Sequence, residues 1–481
     1  MLRRPDSASG LRVYRAGALA ALVSLGISAC SLAPTYKVPD VPVADQYANA
    51  NSPWTEAKPA DHLDRDAWWK LYGDPRLDDL QTKLIANNAS LAAALAHYEQ
   101  SEAFTRQVRS ALFPTLGLNA NGQRDRESDT RPLRGTTSPS MYNSYTIGAQ
   151  ADYEVDLWGR VRDTVAAGTA EQAAAAGDLA SARLSLQAQL TDSYLQLNGL
   201  DRQVKVLNES IVAFSRALEL TESRHEGGIS SGLDVARAQT QLSNARSQLT
   251  QAQAQRALIQ HAIAVLVGDS ASTFTLATND AQVTVPTIPL DVPSVILQRR
   301  PDIAAAERRT AEANARVGVA RSAYFPQLTL DAQGGWQSSA WASIATAPNR
   351  FWSIGPTLLL SVFDGGRRKA VVDAAKAATD EAGAKYRDVV LNAFAQVEDN
   401  LVLLRDLGTA LTDQRAAADA AQRSVDLSMN RYRNGAVGYL DVVQAQTDAL
   451  TARRSVIDLE TQQLRASVQL IRALGGGWSQ G

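Results

Sequence analysis

From Tyr145 to Val155 the chain alternates. Tyr145, Ile147, Ala149, Ala151, Tyr153 and Val155 are apolar or small, and Thr146, Gly148, Gln150, Asp152 and Glu154 between them are polar or glycine. A period of two sends successive side chains to opposite faces of a strand. One face suits hydrocarbon. The other carries Asp152, Glu154 and the following Asp156, and requires water. After Trp158-Gly159-Arg160 the period changes, and Leu197, Leu200, Val204, Leu207, Ile211, Phe214 and Leu218 recur at steps of three and four. That is a coiled-coil seam. No proline occurs between Asp156 and Val285, so nothing forces a break. The pattern predicts a helix from about Gly159 to Glu226, roughly 100 Å long at about 1.5 Å per residue. Gly227-Gly228 and Gly232 mark a turn, and Asp234 opens a returning helix that ends near Val267.

The flanking segments repeat this plan. Helices are expected from Pro75 to Asn87 and from Ser90 to Ala111, where Phe113-Pro114 ends the second. A strand with Leu116, Leu118 and Ala120 on one face follows, then a polar loop at 124–142. In the second half a helix runs from Pro301 to Ser322, Phe325-Pro326 ends it, and a strand sets Leu328, Leu330 and Ala332 against Thr329, Asp331 and Gln333. The strand that follows the 335–350 loop alternates from Trp352 to Val362. Asp364-Gly365-Gly366-Arg367 then matches Leu157-Trp158-Gly159-Arg160 at an offset of 207. A second seam comprises Val390, Phe394, Val397, Leu401, Leu404 and Leu411. The chain turns at Asn434-Gly435 and returns from Leu440. Identities around Arg224/Arg431, Asp234/Asp441 and Ala238-Gln239-Thr240/Ala445-Gln446-Thr447 establish an internal repeat of about 200 residues. The expected divisions are 1–29, 30–74, 75–290 and 291–481: a leader, an extended lead-in lying against the surface, and two repeats. Each repeat holds a β-hairpin (about 115–156 and 327–363) and a long helical hairpin (about 159–267 and 365–473). The first closes with an equatorial segment, the second with a C-terminal tail.

The ends change the picture. Arg3, Arg4, Arg12 and Arg15 precede a short apolar run, Ala16–Ile27, which leads to Ser28-Ala29-Cys30. This resembles the lipobox of bacterial lipoproteins, with Cys30 as the acylated residue, and an ordinary signal peptide with an incidental cysteine is the other reading; the resemblance implies that Ser31, being other than Asp, directs the protein to the outer membrane. Removing 29 of the 481 residues leaves 452 and takes the formal charge from −2 to −5, because four arginines and Asp6 go with the leader. No basic excess remains, which argues against nucleic acid. With one cysteine there is no internal disulfide. The mature chain has no apolar run of about 18 residues, so a membrane crossing would have to use strands.

Four strands per chain cannot close, since single-chain barrels begin at about eight strands. An open sheet edge cannot lie in hydrocarbon. Several chains must therefore pool strands. Two would give a filled lumen of eight strands; three would give twelve and room for a pore, with Asp152, Glu154 and Asp156 on the wet inner face.

These residues resemble the outer-membrane efflux proteins of the TolC and OprM type, in their lipoprotein branch. The likeness rests on Arg299-Arg300-Pro301-Asp302-Ile303, Tyr324-Phe325-Pro326, Asp156-Leu157-Trp158-Gly159-Arg160, Phe363-Asp364-Gly365-Gly366-Arg367, and Arg431-Tyr432-Arg433-Asn434-Gly435 with Tyr439-Leu440-Asp441. The resemblance implies a mostly α fold with a small β part. In it, antiparallel coiled-coil helices form a periplasmic α-barrel, and four transmembrane strands per chain build a twelve-stranded barrel in a homotrimer. It also implies a mixed equatorial belt from residues near 270–300 and the C-terminus. Its partners would be a periplasmic adaptor, an inner-membrane pump of the resistance-nodulation-division kind, and outer membrane lipid. The passengers would be drugs or other small toxic compounds. Family members place aspartate rings at the turns farthest from the membrane, which here carry Asp234 and Asp441, with Gln444 where relatives often have Asp. Tyr439 and Arg431 are expected to lock that turn by hydrogen bonding. Asp234 and Asp441 also read simply as helix N-caps.

No enzyme chemistry emerges. His225-Glu226 lacks the second histidine of a zinc-protease motif, with Ile229 at that spacing, and Gly365-Gly366-Arg367-Arg368-Lys369 is not a phosphate loop. No catalytic residue, metal site or cofactor is expected, so export energy must come from a partner. Two other readings stay open: a duct for protein secretion, and a coiled-coil envelope scaffold without a pore.

Overall fold

The computed structural model describes residues 31–41, 67–130, 139–286, 288 and 300–476. The leader and Cys30 lie outside the described residues. Among the described residues the chain is mostly helical, with one small sheet. In order it forms α1 (Pro75–Asn87), α2 (Ala89–Ser110), β1 (Thr115–Arg126), β2 (Met141–Val155), α3 (Arg160–Glu226), α4 (Gly232–Leu266), α5 (Pro301–Ser322), β3 (Gln327–Ser338), β4 (Arg350–Leu359), α6 (Arg367–Arg433) and α7 (Tyr439–Ala473). The two repeats are therefore real at the level of elements: α3 and α6 each have 67 residues, α4 and α7 each 35. No helix among the described residues is long and apolar enough to cross a membrane, which says nothing of strands. The chain divides into two compact units, and both repeats contribute to each.

The first unit comprises the described parts of 1–39, Tyr98–Ala175 and Ala306–Tyr386. Its strands form one antiparallel sheet in the order β1-β2-β3-β4. The register places Leu118, Ala149, Gly334 and Trp352 in one row, and Leu116, Ala151, Ala332 and Ile354 in the next. The apolar positions of all four strands thus share one continuous face. That face is open: Leu118 is 90 % exposed and Ile354 74 %. β1 and β4 each pair on one side only. Two expectations change. The first hairpin is longer than the alternation implied, because pairing continues to Arg126↔Met141 into residues whose composition suggested a loop. β4 is shorter. It ends at Leu359, opposite Gln327, where β3 begins, so Leu360 and Val362 lie beyond the ladder.

The second unit comprises the described parts of 40–97, 176–305 and 387–481. Its main core joins Trp68, Trp69 and Tyr72 to Leu77, Leu80 and Leu84 of α1, Leu190 and Leu195 of α3, Ile263 of α4, and Val468 and Ile471 of α7. The lead-in was expected on the surface. Instead Trp68, 2 % exposed, sits in a short 3-10 turn that plugs this core. Two large indoles have more to gain from burial than a surface path offers. Downstream the seam packs as read, with Leu207 and Phe214 buried against Leu242 and Leu450. An antiparallel ladder of ion pairs ties α3 to α7: Asp192–Arg465 at 2.9 Å, Glu460 with Arg202, and Glu209–Arg453 at 2.7 Å. Buried Arg300 forks onto Asp302 and donates to the Ala473 carbonyl at 3.0 Å, so it fastens the start of α5 to the end of α7. Asp74 caps α1, whose first residue is Pro75.

Gly148 and Gly335 are paired across β2 and β3. A Cβ on Gly335 would fall 2.1 Å from the Ile147 carbonyl oxygen and 2.6 Å from the Gly148 Cα. Both are backbone atoms and cannot swing aside. Gly335→Val should therefore part β2 from β3 and yield membranes with the protein present but without its heat-modifiable band on unboiled gels. An unchanged band would count against this packing.

Candidate functional site

The polar face of the sheet holds part of the expected acidic lining. Asp152 lies directly opposite Asp331, and Gln150 opposite Gln333. Thr357 donates to Asp331 at 2.8 Å. Like charges facing each other across strands repel, and water is the environment that tolerates them. Asp331 belongs with Asp152: the alternation of its strand puts it on the polar face, and the pairing of β2 with β3 adds it to the expected acidic lining.

Glu154 and Asp156 behave differently. Glu154 is held by Arg160, whose Nε donates at 2.6 Å, and by Gln327 at 3.0 Å. Asp156 lies beyond the end of β2. It accepts from the Arg162 backbone at 2.9 Å and side chain at 3.1 Å, so it caps the strand-to-helix joint rather than lining a strand. The shift follows from the short connection: the orphan amides at the start of α3 need an acceptor, and Asp156 is the nearest one. Asp364 repeats the device with the Arg368 amide and guanidinium, at 3.1 and 2.7 Å.

At the same joint Trp158 stacks on Phe325 with ring centres 4.7 Å apart, and its indole donates to the Pro326 carbonyl at 2.8 Å. Arg368 lies over the Tyr324 ring at 5.5 Å. The short motifs of one repeat therefore pack on those of the other around a cavity of about 330 Å³.

In the second unit, both helical turns end the same way. Gly228 (φ +74°) and Gly435 (φ +76°) adopt the left-handed conformation. Ile229 N–H donates to the Arg224 carbonyl, and Ala436 N–H to that of Arg431, both at 2.8 Å. This is the Schellman arrangement, which glycine meets at least cost. The first residues of the returning helices differ from expectation. Ser231, not Asp234, is the N-cap of α4. Asp234 occupies the third helical position, where it completes a capping box with Ser231. It also meets Arg237 at 3.5 Å. The N-cap of α7 is Gly438, which offers no side chain, and Asp441 is exposed at the equivalent third position.

The lock at these turns is asymmetric. Tyr439 is 1 % exposed and packs on Tyr432, ring centres 5.3 Å apart. The arginine over this pair is Arg224, not the predicted Arg431, which is exposed. The Arg224 guanidinium carbon sits 4.7 Å from the Tyr432 ring centre, and Nη1 donates to the Tyr432 carbonyl at 2.9 Å. The Tyr432 hydroxyl is within 3.3 Å of both Thr221 and Ser230. At the repeat offset, Arg224 aligns with Arg431, but Tyr432 and Tyr439 align with His225 and Gly232. Only the second repeat has the aromatic pair, so only the first repeat's arginine has a ring to cover.

The outer membrane efflux protein family matches residues 80–269 and 292–476, which together span most of the chain and follow its two repeats. The chain belongs to that family. Among curated relatives it is similar to outer membrane protein OprJ of Pseudomonas aeruginosa, 32 % identical over 97 % of this chain and 96 % of the relative. It is likewise similar to the antibiotic efflux pump outer membrane protein ArpC of Pseudomonas putida, 31 % identical over 95 % and 96 %. Among solved structures the outer-membrane channel OprN superposes with a TM-score of 0.85 at 29 % identity, over 93 % of this chain and all of that one. As an outer membrane efflux protein, the chain is a transport duct of the outer membrane.

Two outcomes are expected of the lock. Arg224→Ala should remove a partly desolvated cation–π contact worth about 1–2 kcal/mol, and hydrogen exchange at 224–234 and 432–441 should accelerate at neutral pH; unchanged exchange would assign the order of these turns to other contacts. The Tyr439 phenol is pushed up to about 12, first by burial and then by neighbouring Tyr432. The fold favours its neutral form, so this contribution is complete below the ordinary value of 10.0 and is lost as pH rises through about 12. Hydrogen exchange at 224–234 and 432–441 should accelerate across that window, and less so in Tyr439→Phe.

Proposed function

We propose that three copies of this chain form the exit duct of a tripartite efflux system, passively conducting drugs or other small toxic compounds across the outer membrane. The observation that carries this reading is the sheet: it has an apolar face open to its surroundings, a polar face with opposed acids, and two unpaired edges. Such a sheet satisfies its backbone in hydrocarbon only by joining β1 to β4 of another copy. Three copies give twelve strands and a water-filled lumen. Asp152 and Asp331 line that lumen. The helical hairpins form the periplasmic tunnel, and the turns bearing Asp441 and the Arg224–Tyr432–Tyr439 lock form its gate, with Asp234 held aside in its capping box.

The partners are a periplasmic adaptor and an inner-membrane pump of the resistance-nodulation-division kind, which supplies the energy. The chain performs no catalysis and takes no cofactor. A lipid on Cys30 anchors it in the outer membrane. Small-molecule cargo is favoured over secreted protein because ArpC is named for antibiotic efflux.

Deleting the gene should raise intracellular accumulation of a fluorescent dye, and restoring it should reverse the rise; no change with the pump present would sink the efflux role. Asp152→Asn with Asp331→Asn should lower the cation preference of the open channel in bilayer recordings, whereas an unaltered preference would place these acids off the conduction path.

A further inference from the structure

The described chain begins at Ser31, and the first residues after Cys30 are docked along α5 of the first unit. The Arg321 guanidinium donates to the Leu32 carbonyl at 3.1 Å, and the Asn314 amide to the Pro34 carbonyl at 2.8 Å. Tyr36 donates to the Glu307 carboxylate at 2.6 Å. Glu307, Asn314 and Arg321 are spaced seven apart, which puts all three on one stripe of the helix. Gly318 lies on the same stripe. A Cβ there would fall 2.7 Å from the Ala33 nitrogen and 2.1 Å from an Asp163 carboxylate oxygen. Only glycine lets the segment lie so close.

The end of the stripe is acidic and buried. Asp163, 4 % exposed on the first turn of α3, accepts from the Ser31 hydroxyl at 2.6 Å, and that hydroxyl in turn accepts from the Ala33 amide at 3.1 Å. Burial raises the pKa of the Asp163 carboxyl, and the Ser31 hydrogen bond works against that rise. Val155 ends β2 a few residues before Asp163, and Gln327 begins β3 a few residues after Arg321. Ser31 is therefore held where strands give way to helices.

We propose that Asp163 and the Glu307–Asn314–Arg321 stripe are a receptor for the N-terminal strap, and that by holding Ser31 at the strand–helix boundary they set the height at which a lipid on the preceding residue is tethered to the bilayer. Asp163 is a positioning residue: it touches no passenger and acts through Ser31. This inference rests on the lipid-anchor reading of Cys30.

Lys37 gives a direct readout, because it is an exposed tryptic site within the strap. Full-length protein extracted from outer membranes is treated with trypsin, and cleavage after Lys37 is followed by mass spectrometry beside cleavage at Arg433 in a turn of the second unit. Asp163→Ala should speed Lys37 cleavage about tenfold or more, as expected for loss of a hydrogen bond to a charged group, and leave Arg433 cleavage unchanged. Asp163→Asn, which keeps an acceptor for Ser31, should stay close to the parent. If Asp163→Ala does not assemble, Ser31→Ala carries the test, with a rise of about threefold or more expected. Equal Lys37 cleavage in the parent and in Ser31→Ala or Asp163→Ala would overturn the receptor. Metabolic labelling with palmitate on the same samples separates the two claims: absence of label in the parent removes the anchor, while unchanged cleavage removes the docking.

Discussion

A peptide group in hydrocarbon has no water to bond, and that constraint governs this chain. Four strands satisfy each other across three ladders and leave the outer sides of β1 and β4 without partners. Everything distinctive about the protomer is compatible with that incompleteness. The apolar residues lie on one face in continuous rows across all four strands, and the acids lie on the other. Helices of 67 residues, far longer than one small domain can bury, complement a fold whose contacts are shared among copies.

Duplication supplied the two halves, and divergence joined them. The contacts that hold the halves together are heterologous. Trp158 of the first repeat stacks on Phe325 of the second, Arg224 covers Tyr432, and the ion-pair ladder runs from α3 of one repeat to α7 of the other. A symmetric pair built on the first repeat would have offered two arginines and, with His225 and Gly232 in place of Tyr432 and Tyr439, no ring at this site. The ladder also sets register. Glu460 is its buried member and is met by both Arg202 and Arg415, so stripping its partners would leave a buried charge, whereas Glu209–Arg453 is an exposed pair that costs less to lose.

The long elements were legible in the sequence because their signals are periodic and uninterrupted. The seam from Leu197 to Leu218, the glycines at 227–228 and 435, and the alternation in β2 all correspond to observed elements within a few residues. What failed was local competition that periodicity does not encode. Asp156 alternates with the strand but serves the helix, where it accepts from the Arg162 amide and guanidinium. Asp234 resembles an N-cap, yet Ser231 three residues earlier completes a better hydrogen-bonding box. Arg431 and Arg224 are identical by alignment, and only the tertiary position of Tyr432 distinguishes them. Trp68 and Trp69 sat in a polar, proline-containing stretch, and nothing along the chain disclosed that their pocket would be assembled from α1, α3, α4 and α7. The family match supplied what the residues alone left open, namely a duct rather than a scaffold.

The opposed carboxylates of Asp152 and Asp331 bear on the order of events in biogenesis. A lone protomer pressed into lipid would bring this acidic pair, and two rows of unmet peptide groups, into oil at the same moment. Neither debt is settled by waiting there for company. The copies must find one another first, or enter as they meet, so a membrane-embedded monomer is not a station on the route.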